Sequence, residues 1–407
     1  MTAKYKKTKM LMCLLYLLPF IDMLNGYFIR NYNISGVGAT YHLILVLTFI
    51  VSAYGKKCIK IGKFEKCCIS LLLVFIFSEI VNSIIIGDFQ AISLERVEKI
   101  VSTALTVTCL NRLVETKYIS KQRIDNLLNY ISIIVSVVSM FANLTGLGNY
   151  TYDVAQLGRT GFFTGSNEPI AIYIILNTFL VYKFYISQKI SYLLVSLVFE
   201  IDLIFAQSKS AYLYSAVFAV LLIGMVVNNA IKKGKIKKSF LLIGLPGLIA
   251  GIIAGKKLLL DTLADFWSRQ TYIKNNYRDT GFLNYISSGR IGRVYSLIGS
   301  VFNQNVGIMI FQFLFGQGLN FKYSEILEID VLDVFLYGGL IGSLIVMILM
   351  ISFFNIIRKA SLFASLLTLI IYLFSFTAGH IWTGGISGTY FALVIVYYMY
   401  INGKETR

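Results

Sequence analysis

The sequence predicts an all-α polytopic membrane protein with about 12 transmembrane helices, folded as a single helical bundle over residues 1–407. The chain is 57% hydrophobic and only 14% charged, and its mean hydropathy is +0.73. Apolar stretches of about 20 residues, the length that spans a bilayer, recur along the chain. No run of short alternating strands indicates a barrel, and helices satisfy their own backbone hydrogen bonds in lipid.

The first predicted span covers residues 10–29 and follows a basic N-terminal segment. This arrangement is also typical of a cleaved secretory signal. The span contains Pro19 and Asp22, runs for about 20 residues and lacks a small-residue cleavage site, so we expect a retained helix. The other predicted spans are residues 37–54, 67–86, 97–114, 127–147, 169–186, 191–207, 211–227, 240–255, 329–354, 362–378 and 387–401.

Charge in the loops predicts the orientation. Lysines are dense in residues 4–9, 56–66 and 232–238, and 20 of the 26 lysines fall on this side of the predicted membrane. Cytoplasmic loops are enriched in lysine and arginine, so we expect both termini to be cytoplasmic. Seven of the 11 arginines fall on the opposite, outer side. The net charge of +17 follows this loop pattern and does not predict a nucleic-acid partner.

Two outer loops are notable for their arginines. Arginine binds phosphate in a bidentate fork better than lysine does. Residues 256–328 form a long extracytoplasmic loop with Arg269, Arg278, Arg290 and Arg293. Within it, residues 306–315 are apolar but too short to span, which fits an interfacial helix or a re-entrant element. The second loop covers residues 148–168 and contains Arg159.

Two motifs in these loops suit an anion. In residues 159–169 (RTGFFTGSNEP), glycines permit close backbone approach, and Asn167 with Pro169 predicts a capped helix start. In residues 287–293 (SSGRIGR), small residues flank Arg290 as in a phosphate-binding nest. The alternatives are an ordinary loop with a helix cap for the first motif and surface solubility for the second.

Ionisable residues also lie within the predicted spans, each nearer the outer end. Such charges usually face a cavity and have partners. Either they share an outward polar cavity with the arginines, or each is paired locally. His380, in residues 379–385 (GHIWTGG), is either a general base, a phosphate ligand or an interfacial residue. His42 sits in a plain apolar span, and residues 208–210 predict a hairpin turn. The acidic residues that lie within the predicted spans are Asp22, Glu79, Glu200, Asp202, Asp330 and Asp333.

The order of these motifs resembles the Wzy-type polymerases of O-antigen and capsular polysaccharide, and the related O-antigen ligases. The resemblance covers most of the chain. It is carried by residues 18–22 (LPFID), 159–167, 208–210 (SKS), 288–290 (SGR) in the long loop, 328–330 (EID) before a glycine-rich helix, and 379–380 (GH). The family's functional arginines map onto Arg159 and Arg290, and its late histidine maps onto His380.

The resemblance implies a GT-C-like, inverting glycosyltransferase in the bacterial plasma membrane. Its substrates would be oligosaccharides linked to undecaprenyl diphosphate, with no metal, nucleotide or other cofactor. A chain-length regulator and a flippase would be its protein partners. The catalytic candidates are Arg159, Arg290, His380, Glu328 and Asp330, and the candidates for binding the diphosphate are Arg159, Arg290, Arg269, Arg278 and Arg293.

The expected reaction joins repeat units. A hydroxyl at the non-reducing end of one repeat attacks the anomeric carbon of the growing chain, and undecaprenyl diphosphate leaves. Two alternatives remain open: a glycan ligase, and a polysaccharide flippase or secondary transporter. A transporter would often show paired repeats with broken helices, and the sequence contains no convincing repeat.

Overall fold

The computed structural model describes residues 3–55, 61–86, 92–153, 156–165, 167–232, 264, 267, 271, 290–302, 305–317 and 328–401. Helices dominate this part of the chain. In chain order the elements are α1 (Ala3–Tyr32), α2 (Val37–Tyr54), α3 (Lys63–Ile86), α4 (Ile92–Glu115), α5 (Lys121–Thr145), β1 (Tyr150–Tyr152), β2 (Leu157–Arg159), α6 (Glu168–Ser187), α7 (Ile190–Phe205), α8 (Lys209–Lys232), α9 (Arg290–Phe302), α10 (Val306–Phe315), α11 (Asp330–Ala360), α12 (Leu362–Thr377) and α13 (Ser387–Met399).

The predicted polytopic helical architecture is confirmed at this level. Eleven of the predicted spans coincide with helices, and the span at residues 240–255 lies outside the described residues. Among the described helices, α1, α2, α3, α5, α6, α8 and α11 are long and apolar enough to cross a membrane. The total of 12 spans and the GT-C-like arrangement stay predictions.

Two helices lie at the centre of the bundle. Helix α6 is buried on every side from Pro169 to Tyr182, and all 13 residues of α13 are buried. A helix that is apolar all round is a buried helix. The outer helices instead expose apolar side chains such as Leu73 of α3 and Leu213 of α8. This surface is the kind that lipid covers.

Polar contacts define the two ends of the bundle. At one end, Glu168 at the start of α6 accepts a hydrogen bond from the Ser387 N–H at the start of α13. Asp330, at the start of α11, lies at the same end, which we call the Asp330 end. At the other end, Lys183 near the end of α6 pairs with Asp125 near the start of α5 at 2.7 Å. Helices α6, α11 and α13 therefore all begin at the Asp330 end.

A short hairpin in residues 150–159 was not predicted. Strands β1 and β2 pair antiparallel, with Tyr150 opposite Arg159. Just before β1, the Asn149 side chain donates to the Gly26 carbonyl of α1 at 3.3 Å and to the Phe163 carbonyl at 2.9 Å. A side chain at Gly26 would collide with the backbone after the hairpin. The hairpin is thus held against α1.

Helix α11 is broken, which the single predicted span at residues 329–354 did not anticipate. Gly339 has φ 62° and ψ −162°, a conformation that only glycine adopts readily. The end of α10 packs into the break, where a Cβ on Gly316 would lie 2.4 Å from the Tyr337 carbonyl oxygen. The Gln317 N–H donates to the Leu336 carbonyl at 2.7 Å.

Side chains of α3 satisfy the carbonyl groups around this break. The Asn82 amide donates to the Gly316 carbonyl at 3.1 Å, and the Ser78 hydroxyl lies 3.4 Å from both the Gly316 and Tyr337 carbonyls. Gln312 of α10 donates to Asn82 at 3.4 Å. Irregular backbone at membrane depth requires such internal partners.

Candidate functional site at the Asp330 end

Arg290 and Glu328 form the centre of the candidate site. The Nη2 and Nε groups of Arg290 donate to Glu328 Oε2 at 2.9 and 3.3 Å, and Nη1 donates to the Thr377 carbonyl at 3.3 Å. The side chains of Arg290 and Glu328 are 17% and 32% exposed. Asn167, predicted to cap α6, makes no side-chain cap and donates to Glu328 Oε2 at 3.3 Å. The ion pair therefore connects the starts of α6, α9 and α11 with the end of α12.

The charged groups around Glu328 lower the pKa of its carboxyl group. Burial favours the neutral acid, but the hydrogen bonds and charge of Arg290 outweigh burial and lower the pKa of Glu328 below its usual value. His380 and Arg293 act in the same direction. Arg293 lies one helical turn after Arg290, so the two arginines share a face of α9. Glu328, a catalytic candidate from the sequence, is in its ionised form suited to orienting cations.

The lowered pKa of Glu328 predicts an acid-sensitive contact. Its stabilising effect is present above the ordinary glutamate pKa, about 4.3, and is lost as pH falls through the lower folded-state value. We expect Glu328→Gln to lower the unfolding temperature of the detergent-solubilised protein near pH 7. The difference from the unsubstituted protein should shrink in more acidic buffer. An equal difference at pH 7 and at about pH 3 would contradict the ionised state of Glu328.

Asp330 holds the loop between α12 and α13. Its side chain is fully buried, and its two oxygens accept six hydrogen bonds. Asp330 stays a catalytic candidate from the sequence, but donors occupy both of its oxygens, and its described contacts are those of a residue that positions the loop. The donors are the backbone N–H groups of His380, Ile381, Trp382 and Thr383 and the hydroxyls of Ser375 and Thr383, at 2.7–3.2 Å.

The same loop brings His380 to the ion pair. His380 has φ 69° and Glu328 has φ 60°, values that are uncommon outside glycine. Between the two backbones lies Gly379, where an added Cβ would be 2.8 Å from the Glu328 carbonyl group. The Nδ1 atom of His380 is buried and has no hydrogen-bond partner among the described residues. His380 therefore has a ring nitrogen without a described partner, and its charge acts on Glu328.

Arg159 contacts the hairpin and the end of α5. It donates to the Gly146 carbonyl at 2.5 Å, and its guanidinium carbon is 5.0 Å from the centre of the Tyr150 ring. Arg30 of α1 lies 4.8 Å from the centre of the same ring. None of the described contacts joins Arg159 to Arg290, the other arginine mapped from the resemblance. Arg30, one of the seven outer arginines, was not singled out from the sequence.

The remaining predicted arginines divide in two groups. Arg293 lies on α9 and acts electrostatically on Glu328. Arg269 and Arg278 lie outside the described residues, as do residues 287–289 of the predicted nest. Arg290 itself opens a helix, so the backbone on its C-terminal side is helical where the motif predicted a nest.

Most acids in the predicted spans have hydrogen-bond partners on other helices of the bundle. Asp22 accepts from the Tyr390 hydroxyl at 2.9 Å and lies 2.8 Å from His42 Nε2. Glu200 lies 2.6 Å from the Asn177 amide, and Asp202 accepts from an asparagine of α5 at 2.8 Å. His42, which the sequence placed in a plain apolar span, is therefore a buried polar residue.

Neither a metal site in the described residues nor a known relative assigns the function of this chain. In the described part of the chain, no group of three or more His, Cys, Asp or Glu side chains is placed to hold a metal ion. The functional assignment accordingly depends on the geometry of the Arg290 cluster, which comprises Arg290, Arg293, Glu328 and His380. No protein-family model matches the chain, and no curated protein or solved structure matches it.

Proposed function

We propose that the chain is a polysaccharide polymerase that joins oligosaccharide repeat units carried on undecaprenyl diphosphate. The reaction takes place on the outer face of a bacterial plasma membrane, needs no metal and releases undecaprenyl diphosphate. One observation carries the proposal. The guanidinium fork of Arg290 contacts Glu328, and His380, which acts on Glu328 through its charge, has a ring nitrogen without a described partner, at one end of a bundle of apolar helices.

The diphosphate would bind at the two arginines. Arg290 uses three of its N–H donors on Glu328 and Thr377, and a guanidinium has five. Within the described part of the chain, two donors therefore remain for phosphate oxygens in a fork geometry. Two arginines facing Glu328 leave a net positive charge at the cluster, which stabilises the negative charge that develops on the leaving diphosphate.

His380 is the proposed general base. The acceptor hydroxyl oxygen forms the new glycosidic bond to the anomeric carbon, and its proton passes to Nδ1 of His380. The bond from the anomeric carbon to the diphosphate oxygen breaks, and the electron pair leaves with undecaprenyl diphosphate. One displacement of this kind inverts the configuration. The Glu328 carboxylate, close enough to interact electrostatically with His380, stabilises the imidazolium that forms.

The deciding experiment uses the purified protein in lipid nanodiscs with a lipid-linked repeat unit and a chelator. A ladder of glycan lengths supports the proposed polymerase. Transfer of a finished chain to a different acceptor identifies a ligase. Movement of the lipid-linked sugar without a new glycosidic bond identifies a transporter, the class in which broken helices such as α11 are common. Either of these two results overturns the proposal.

His380→Asn tests the proposed base with little change to the backbone. Asparagine tolerates the positive φ that His380 adopts, so the loop should keep its conformation. We expect polymer formation to fall about 100-fold, the usual effect of losing a general base, while the unfolding temperature stays unchanged. His380→Gly, which relieves the backbone strain, should be equally inactive and at least as stable. Initial rates and thermal unfolding curves measure both effects, and near-normal rates would exclude His380 as the base.

A further inference from the structure

An apolar groove runs between α11 and α12 on the surface of the bundle. It has a volume of about 220 Å³. Its walls carry no exposed polar surface, so it offers contacts to hydrocarbon alone. The lining residues are Met347, Met350, Ile351 and Phe354 of α11 and Leu369, Tyr372 and Phe376 of α12.

The floor of the groove is closed and its rim is open. Met350 and Tyr372 are only 4% and 6% exposed, and the Tyr372 hydroxyl donates to the Met350 carbonyl at 3.0 Å. Leu369, Ile351 and Met347 line the rim with much of their surface exposed. Methionine side chains adapt readily to an irregular apolar ligand. The groove is therefore shaped to receive one flexible chain lying against the helices.

The Arg290 cluster lies at one end of this groove. Phe376 lines the groove, and the next residue, Thr377, offers its carbonyl to Arg290 Nη1 at 3.3 Å. From Phe376 the lining continues along α12 to Leu369, a distance of about 10 Å at the helical rise per residue. A cationic cluster followed by an apolar channel complements a ligand with an anionic head and a hydrocarbon tail.

We infer that this groove holds the first isoprene units of a polyprenyl diphosphate whose diphosphate lies at Arg290. The inference rests on the proposed function and assigns a place to the lipid part of its substrate. The groove has the width of a gap between two helices, so it accommodates the single chain of an isoprenoid. A phospholipid would bring two acyl chains to the same headgroup position.

The test fills the groove from its rim. Leu369→Trp places a large side chain in the groove, and Ile351→Trp does so from the opposite wall. Leu366→Trp is the matched control, because Leu366 lies on the same helix, is 52% exposed and does not line the groove. Affinities are measured in nanodiscs for undecaprenyl diphosphate and for the short dimethylallyl diphosphate. Thermal unfolding verifies that each variant is folded.

We expect both groove substitutions to weaken undecaprenyl diphosphate binding about tenfold. Dimethylallyl diphosphate binding should stay unchanged, because its single isoprene unit occupies only the Phe376 end of the groove. Leu366→Trp should change neither affinity. If the groove variants bind the long lipid normally, or if phosphatidylglycerol competes as well as undecaprenyl diphosphate does, the groove is not the isoprenoid site. Dimethylallyl diphosphate binding that Arg290→Lys does not weaken would overturn the proposed diphosphate site instead, so the two failures are distinguishable.

Discussion

Arg290→Lys is expected to reduce polymer formation by about 100-fold or more, the scale of losing a preorganised donor to a developing anion. Lysine keeps the positive charge but presents a single ammonium point. It cannot reproduce the three hydrogen bonds by which Arg290 contacts Glu328 and Thr377, nor the fork left for phosphate. The measurement is the initial rate of ladder formation from lipid-linked repeat units.

The loss should be mainly in kcat. Negative charge grows on the diphosphate as the glycosidic bond breaks, so an arginine fork matters more in the transition state than in the bound substrate. Arg358→Lys is the matched control, because Arg358 is exposed in the last turn of α11, far along that helix from Asp330. Full-length polymer at a normal rate from Arg290→Lys would rule out the diphosphate clamp.

Asp330→Asn is expected to destabilise the protein by about 3–5 kcal/mol, the range for removing one partner of a buried charged contact. The substitution replaces an acceptor oxygen with an amide that donates. Donors from the loop would then face another donor, and buried N–H groups would lose their partners. Thermal unfolding in detergent measures the loss, and the fluorescence of the buried Trp382 reports on the loop itself.

The control for Asp330→Asn is Asp153→Asn, the same substitution at an exposed residue of the hairpin segment. That variant should unfold at the normal temperature. Because His380 and Glu328 adjoin the loop, Asp330→Asn should also lose polymerase activity even in the fraction that stays folded. An unfolding midpoint for Asp330→Asn equal to that of the unsubstituted protein would contradict the anchoring role.

Local sequence patterns predicted the helices well. Apolar runs of the right length located them, and the bounds of α2 were predicted to the residue. The apolar segment in the long loop is the helix α10, with the Asn305 side chain accepting from the Gly307 N–H as its cap. These features depend on neighbouring residues, which is why the sequence alone suffices for them.

Contacts between distant segments could not be read in the same way. The pairing of Asp22 with His42 joins two helices, and nothing in the apolar run around His42 indicates a partner. Asp330 was predicted to be a catalytic residue. The donors that it binds lie about 50 residues away, so the residues around it give no sign that it holds a loop. The positive φ of Gly339 could not be read from the sequence either, because it depends on how the end of α10 packs against α11.

In the candidate site, too, single residues could be predicted from the sequence but the contacts between them could not. Arg290 and His380 stood out from local motifs, and Glu328 was named as a catalytic candidate. The structure pairs Glu328 with Arg290. Which arginine it contacts depends on where α9 packs, and the grouping of Arg159 with Arg30 depends on the unpredicted hairpin.

The break at Gly339 has a consequence for how α11 matches the bilayer. A straight helix of 31 residues would be about 46 Å long, against a hydrocarbon thickness of about 30 Å. The part after Gly339 has about 21 residues and is about 31 Å long, which matches that thickness. A substitution that straightened α11 would create a mismatch of about 15 Å, carrying Asp330 and its loop away from Arg290.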